Sequence, residues 1–440
     1  MSSFFPSIST VETVAKGALA TAVGFGTLGA GLLYYGQNYL IYPSAYMKIG
    51  EDDGIPTTPA AYGLHHEMLD LKTKDGQTLR CYLLPQKKEL PKATKFGSLP
   101  TVPISAIEGA TELGYSNMSD EELISHRPTV IMFHGNGGNA GHRIPLGMMF
   151  QQVMRCNVLG VEYRGYGDST GTPSESGFAI DAVTALEFVR GDIRLRDTPV
   201  ILYGQSIGGA VAIDLASRFP GEIAAIILEN TFISLRLLVP HVLPLLGPFK
   251  FLCHQRWESA GKIIGAPDMV SQNRVEDRLA GLVKEKEGSE AKAEFKERLG
   301  KATEVLDVVA SQVLEGGGGT IARVGNGLGK EYKGIPRETN VLMLSGQSDT
   351  LVPPQHMKFL RQVFEARPHT RRTLGLSPLS TSGEKIEEAK TQERSQFMLF
   401  PAGTHNDTTA QHGYWNRVGD FIAEVGKEWR AQSSGSQSRL

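Results

Sequence analysis

A short β-branched run that breaks on a serine between two glycines, then continues at once as a small-residue helix, leaves few folds open. The run is Pro199-Val-Ile-Leu-Tyr-Gly-Gln-Ser206-Ile-Gly-Gly-Ala-Val-Ala-Ile-Asp214. Strand, sharp turn and helix in that order lift a serine hydroxyl to the top of a sheet. Gly204 and Gly208 suit the turn because bulky side chains would clash there, while Gly209 and Ala210 let the helix approach its neighbouring strands. The backbone N–H of Ile207, at the helix N-terminus, would face developing negative charge. A plain N-cap serine after a buried strand would read the same over this segment alone.

The pattern Gly-x-Ser-x-Gly occurs twice. Gly167-Asp-Ser169-Thr-Gly171 also matches, but Thr170, Gly171, Thr172 and Pro173 keep the chain in a loop where a helix is needed. Context therefore selects Ser206 and leaves Ser169 a loop residue.

At 440 residues the chain holds one large α/β domain with insertions, or two domains. A formal net charge of −2 implies no polyanion-binding surface, which sets nucleic-acid binding aside. Cys81, Cys156 and Cys253 are odd in number and widely spaced, and describe neither a disulfide framework nor a metal site.

The N-terminus differs from the rest. No charged residue occurs from Gly17 to Met47, and residues 17–42 are long enough to cross a bilayer once as a helix, with 1–16 as a short tail. Tyr34, Tyr35, Tyr39 and Tyr42 are expected at the membrane interface. A cleaved signal peptide and a buried soluble helix are the rival readings. Gly24-Phe-Gly26-Thr-Leu-Gly29 formally matches a dinucleotide fingerprint, but no strand precedes it. Lys16 before the span and Lys48 with Glu51, Asp52 and Asp53 after it tilt weakly to a cytoplasmic N-terminus.

Strand-like runs at His66–Thr73, Thr78–Leu84, Pro128–His134, Asn157–Tyr163, Pro199–Gly204, Ile223–Glu229, Thr339–Ser345 and Ser395–Pro401 alternate with helical stretches at Gly141–Arg155, Glu175–Gly191, Ile207–Phe219, His356–Ala366 and Thr408–Trp429. The first two strands alternate in polarity around Lys74-Asp-Gly-Gln77, a hairpin signal. The later ones are continuous apolar runs, as parallel strands buried on both faces require. The expectation is an α/β domain over 60–430: a mostly parallel eight-stranded sheet with helices on both faces. Residues 86–127, 268–333 and 367–394 break the rhythm and read as polar surface insertions, partly disordered, and 431–440 as a disordered tail. Gly329-Lys330 ends a glycine run, but Glu331 stands where a phosphate loop needs Ser or Thr.

A serine hydroxyl needs a general base, and the base needs an acid to orient it. Leu342-Met-Leu-Ser-Gly-Gln-Ser-Asp349 sets an aspartate just past a buried strand, and Phe397-Met-Leu-Phe-Pro-Ala-Gly-Thr-His405 sets a histidine past the next. Serine, acid and histidine in that chain order are the triad order of an α/β-hydrolase. Ser206, Asp349 and His405 would converge where functional groups gather, at the carboxyl ends of the strands. Glu229 and Asp407 are runner-up acids, and His412 a runner-up base expected inside the last helix. Val130-Ile-Met-Phe-His134-Gly-Asn-Gly-Gly-Asn139 supplies the loop for a second oxyanion donor, the N–H of Asn136, with Gly137 as the alternative. His134 reads as a brace of that loop; Arg164 and Asp168 read as residues fixing loops near the site.

His134-Gly-Asn-Gly-Gly-Asn, Glu162-Tyr-Arg-Gly-Tyr-Gly-Asp-Ser, Gly204-Gln-Ser-Ile-Gly-Gly, Glu229-Asn-Thr-Phe and His405-Asn-Asp-Thr together resemble the bud-emergence (Bem) type α/β-hydrolases. The resemblance implies a single-pass membrane protein, in an endomembrane or the plasma membrane, with Ser206, Asp349 and His405 as triad. It also implies acyl-protein thioesterase (palmitoyl-protein hydrolase) activity and a link to cell polarity. The first functional expectation is thus a cofactor-free hydrolase of carboxylic esters or thioesters, acting on an acylated protein or lipid ester. A membrane scaffold on a hydrolase fold and a serine peptidase are the alternatives. Leu235–Leu252 is apolar where a lid belongs, suited to lining an acyl pocket, touching the bilayer, or packing as a buried lid helix. The 268–333 insertion is expected near that lid.

Overall fold

The computed structural model describes residues 24, 27–31, 33–47, 54–90, 118–265, 332–336, 338–373 and 394–437. Eight strands form one sheet: β1 (Glu67–Lys72), β2 (Thr78–Leu84), β3 (Thr129–Phe133), β4 (Asn157–Val161), β5 (Val200–Gln205), β6 (Ala225–Glu229), β7 (Asn340–Gly346) and β8 (Ser395–Phe400). Their order is β1-β2-β4-β3-β5-β6-β7-β8. β2 runs antiparallel to both β1 and β4, and every other neighbouring pair is parallel. This is the α/β-hydrolase sheet expected from the alternation of strands and helices.

Residue chemistry accounts for the layering. β3, β4, β5 and β6 are buried along their whole length, because helices cover both faces. On one face α1 (Glu175–Gly191), α2 (Ile207–Arg218), α3 (Leu235–Val242), α4 (Ser259–Ile264) and α5 (Pro354–Thr373) contribute Phe178, Val211, Leu238, Ile263 and Leu360 to one core. On the other, the segment 140–153 and α6 (Tyr414–Gln437) contribute Ile144, Phe150, Trp415 and Phe421.

Several expectations need correction. Gly141–Arg155 is not one helix: a 3-10 turn (Ala140–Arg143), a short α-helix (Ile144–Met148) and a π turn (Met149–Val153) follow one another. Pro145, in the first turn of the short helix, cannot continue an earlier one because it lacks an N–H. α5 runs to Thr373, into the expected 367–394 insertion, and α6 runs to Gln437, into the expected tail. Within the first expected insertion, Asp120–Ser125 is a helix closed by a Ser119–Glu122 capping box; residues 91–117 lie outside the described residues, as do 266–331 and 374–393.

The chain returns from residues 266–331 beside α2 and α4. The Lys333 N–H donates to Ser217 O at 2.9 Å and the Ile335 N–H to Ile263 O at 2.9 Å. Ser217 lies near the end of α2, about 16 Å along the helix from Ser206 at ~1.5 Å per residue. A buried charge cluster fixes this neck. Lys262 Nζ sits 2.8 Å from Asp214 Oδ1 and 2.9 Å from Glu175 Oε1, and Tyr332 Oη donates to Asp214 Oδ1 at 2.9 Å.

Residues 27–31 and 33–41 are helical. Among the described residues no helix is long and apolar enough to cross a membrane, and residues 17–23 of the expected span lie outside them. Tyr42 is not at an interface. It is fully buried, donating from its hydroxyl to Gln255 Oε1 at 3.2 Å and accepting from Trp257 Nε1 at 3.1 Å. All three cysteines are free and buried.

Candidate active site

Ser206 stands at the end of β5 with φ 54° and ψ −119°, a backbone conformation that L-residues rarely adopt. The surrounding geometry enforces it. A Cβ at Gly204 would lie 2.2 Å from Gly208 O, and one at Gly208 would lie 2.1 Å from Phe133 O, so no other residue fits either position. The Ser206 N–H donates to Glu229 O at 2.9 Å, and Thr231 Oγ1 donates to Ser206 O at 2.7 Å. Backbone on both sides of the serine is therefore tied to the end of β6.

Asp349 follows β7 and is buried, with Oδ1 accepting from the Leu351 and Val352 N–H groups at 2.9 and 2.8 Å. Its Oδ2 lies 2.8 Å from His405 Nδ1. A carboxylate on Nδ1 places that proton there and leaves Nε2 to accept another. The loop carrying His405 is gripped by its backbone: Gln205 Nε2 donates to His405 O at 3.0 Å, and Asn230 Nδ2 donates to Thr404 O and His405 O, both at 3.2 Å. Asn230 Oδ1 accepts from the Gly346 N–H at 2.8 Å, which links the end of β7 to the same clamp. Asn230 has φ 44°, a left-handed turn that asparagine tolerates better than most residues.

The runner-up groups are placed elsewhere. Glu229 is fully buried and does not touch His405's ring; its carboxylate accepts from the Tyr203 hydroxyl at 2.7 Å and from the Tyr414 hydroxyl, and burial raises its pKa. Asp407 is exposed and accepts from the Thr404 N–H at 2.6 Å, closing a turn of its own loop. His412 is exposed in a turn before α6, not inside the last helix. Ser169 is a loop residue, donating to Glu162 O at 3.2 Å.

Asn136 and Gly137 lie on the loop after β3. The Asn136 side chain is held at both ends, donating to Ile41 O and accepting from the Tyr166 hydroxyl. The neighbouring Gly138 N–H donates to Ser44 Oγ at 3.1 Å. The chain just past the N-terminal helix thus buttresses the loop from outside. His134 packs under it, buried, with Nε2 3.1 Å from Glu162 Oε1. Arg164 is an internal strut, 2.9 Å from Asp181 and 2.6 Å from Asp75; Asp168 is exposed. Among the described residues no group of His, Cys, Asp or Glu is placed to hold a metal ion.

Of the expected triad the structure joins Asp349 to His405; sequence reasoning missed the contacts made by Gln205, Asn230, Ile41 and Ser44. The quoted Glu229-Asn-Thr-Phe held the only signal for Asn230: an asparagine immediately after a buried strand.

Residues 124–378, which include Ser206 and Asp349, match the family described as serine aminopeptidase, S33. Protein bem46 of Schizosaccharomyces pombe is 28% identical over 94% of this chain and 95% of its own length. The chain is a Bem46-like α/β-hydrolase of this family. An uncharacterized membrane protein of Saccharomyces cerevisiae, YNL320W, is 27% identical over 94% of the Bem46-like chain and 98% of its own. The lysophosphatidylserine lipase ABHD12 of Bos taurus is 32% identical over a shorter stretch, 38% of this chain and 42% of the lipase.

Proposed function

We propose that this Bem46-like hydrolase is a membrane-anchored serine hydrolase that cleaves carboxylic esters or thioesters through an acyl-enzyme. The observation that carries the reading is the 2.8 Å contact between His405 Nδ1 and Asp349 Oδ2, at the strand ends beside the strained Ser206 turn. Ser206 Oγ attacks the carbonyl carbon and passes its proton to His405 Nε2. The N–H groups of Ile207 and Asn136 receive the oxyanion; each such donor is worth ~3 kcal/mol in the transition state. The leaving alcohol or thiol takes the proton from His405. Water then attacks the acyl-enzyme, His405 accepts its proton and returns it to Ser206, and the free acid departs. No cofactor enters this cycle.

Lipid esters and acylated proteins are the proposed substrates. The animal relative named as a lysophosphatidylserine lipase supports a lipid ester, and a palmitoyl thioester on a protein presents the same acyl carbonyl. The uncharged stretch through residue 47 and the membrane-protein name of the yeast relative support an anchor.

Labelling of the membrane fraction by a fluorophosphonate tests the reading. Wild type is expected to label and Ser206→Ala to lose the label completely. A folded wild type that does not label would instead favour a scaffold role. Turnover across a panel of lipid esters, acyl thioesters and peptides then distinguishes ester and thioester cleavage from the peptidase activity in the family's description.

A further inference from the structure

The second half of the apolar Leu235–Leu252 stretch turns its side chains outward. Pro244–Leu252 is a 3-10 helix with no buried residue. Leu245 is 89% exposed and Phe251 65%, with Phe249 beside them. The N-terminal helix does the same, leaving Tyr35 83% and Tyr39 62% exposed. A soluble surface rarely gathers such side chains without a partner.

The two elements are joined. Gln37 Oε1 accepts from the His254 and Gln255 N–H groups at 3.0 and 3.2 Å, and the Tyr34 ring lies 4.8 Å from the His254 ring. Tyr42 locks the base of the helix into the domain through Gln255 and Trp257. The same helix continues a stretch that carries no charge from Gly17 onward. On the anchor reading, the membrane that receives that stretch meets the outward face of Pro244–Leu252 as well.

We propose that Pro244–Leu252 and the exposed side of the N-terminal helix form one surface that rests in the outer layer of a phospholipid bilayer. This rests on the anchor reading above and specifies what the anchor alone does not: the hydrolase domain lies against the membrane instead of hanging from a tether. Tyr and Phe side chains suit the interfacial depth. The surface is also rooted beside the site: Ile41 O, at the end of the N-terminal helix, accepts from the Asn136 side chain. An acyl ester lodged in the leaflet reaches Ser206 from the lipid side.

The test uses the full chain in phosphatidylcholine vesicles, with an environment-sensitive fluorophore on Leu245→Cys, on Phe249→Cys, or on Ile193→Cys as the exposed control past the end of α1. The unsubstituted chain, whose cysteines are buried, is the blank. Sedimentation with vesicles first tests the anchor by itself. For sedimenting protein, the labels at 245 and 249 are expected to shift blue and to be quenched by a doxyl lipid, while the label at 193 is not. Labels at 245 and 249 as water-exposed as that at 193 would overturn the proposal. So would a blue shift without lipid quenching, which would mean that a second copy or another part of the chain covers the face. A second measurement uses Leu245→Asp/Phe249→Asp/Phe251→Asp, all exposed and outside the catalytic machinery. It is expected to keep fluorophosphonate labelling and turnover of a soluble short ester, and to lose about tenfold in turnover of a long-chain ester embedded in vesicles. Equal loss on both esters would overturn the proposal without touching the hydrolase reading.

Discussion

A single side-chain amide ties two strand ends to the histidine loop. Asn230 joins β6, β7 and the backbone around His405, and its left-handed φ is part of how it reaches them. Asn230→Gly keeps the backbone freedom and removes the amide. It is expected to lower kcat about 10- to 100-fold with little change in KM, since a loosened base weakens the transition state more than substrate binding. Steady-state kinetics on a soluble ester, with melting temperature as the control for folding, checks this. The contrast with the proposed triad shows what a sequence encodes locally. Ser206, Asp349 and His405 stand out as candidates because each lies just past a buried strand and the chemistry asks for that order. Asn230 and Gln205 act by donating to a carbonyl far away in the chain, and nothing in their own surroundings announces a distant backbone partner. Glu229 read as an acid for the same reason that Asp349 did; only the structure shows its carboxylate taken up by Tyr203 and Tyr414.

Among the elements, the strands were read nearly to the residue because continuous burial leaves an unmistakable apolar run. Helix shapes were less legible. Pro145 and the π turn divide what periodicity alone joins between residues 140 and 153, since packing against β4 outweighs regular spacing there. The 268–333 insertion lies almost wholly outside the described residues, and only its flanks are placed: α4 leads into it and residues 332–336 return beside the end of α2. Its neck is closed by the Ile335–Ile263 hydrogen bond and the Lys262–Asp214 pair. Replacing residues 266–331 with a short glycine-serine linker is therefore expected to leave fluorophosphonate labelling and short-ester turnover within about twofold of wild type. A loss of labelling in a folded variant would restore the insertion to the site.

For the molecule as a whole, the stability that His356 and Asp214 contribute is lost in acid, while Asp181, which burial pushes up to about 6, works in the opposite direction. Burial holds His356 neutral, with its pKa down at about 3. The unfolded chain takes up that proton near 6.5, so stability present above pH 6.5 is lost as pH falls toward 3, at about 1.4 kcal/mol per unit. Asp214 adds a second step. Burial alone would raise its carboxyl, but Lys262 and Arg218 prevail and hold it at about 2, so its contribution is complete above about 4 and lost below. Melting temperature measured from pH 7 to pH 4.5 is expected to drop further in wild type than in His356→Gln, the difference between the two growing as pH falls. The N-terminal segment bears on the whole molecule in another way. Asn136 bonds to Ile41, Gly138 to Ser44, and Gln205 to the backbone of His405, so the candidate site draws on residues far apart in the chain. A ribosome delivers Ile41 long before His405. On the proposed function the nascent chain is inert until residue 405 has emerged, and the segment around Ile41 has to wait for the loop it will brace.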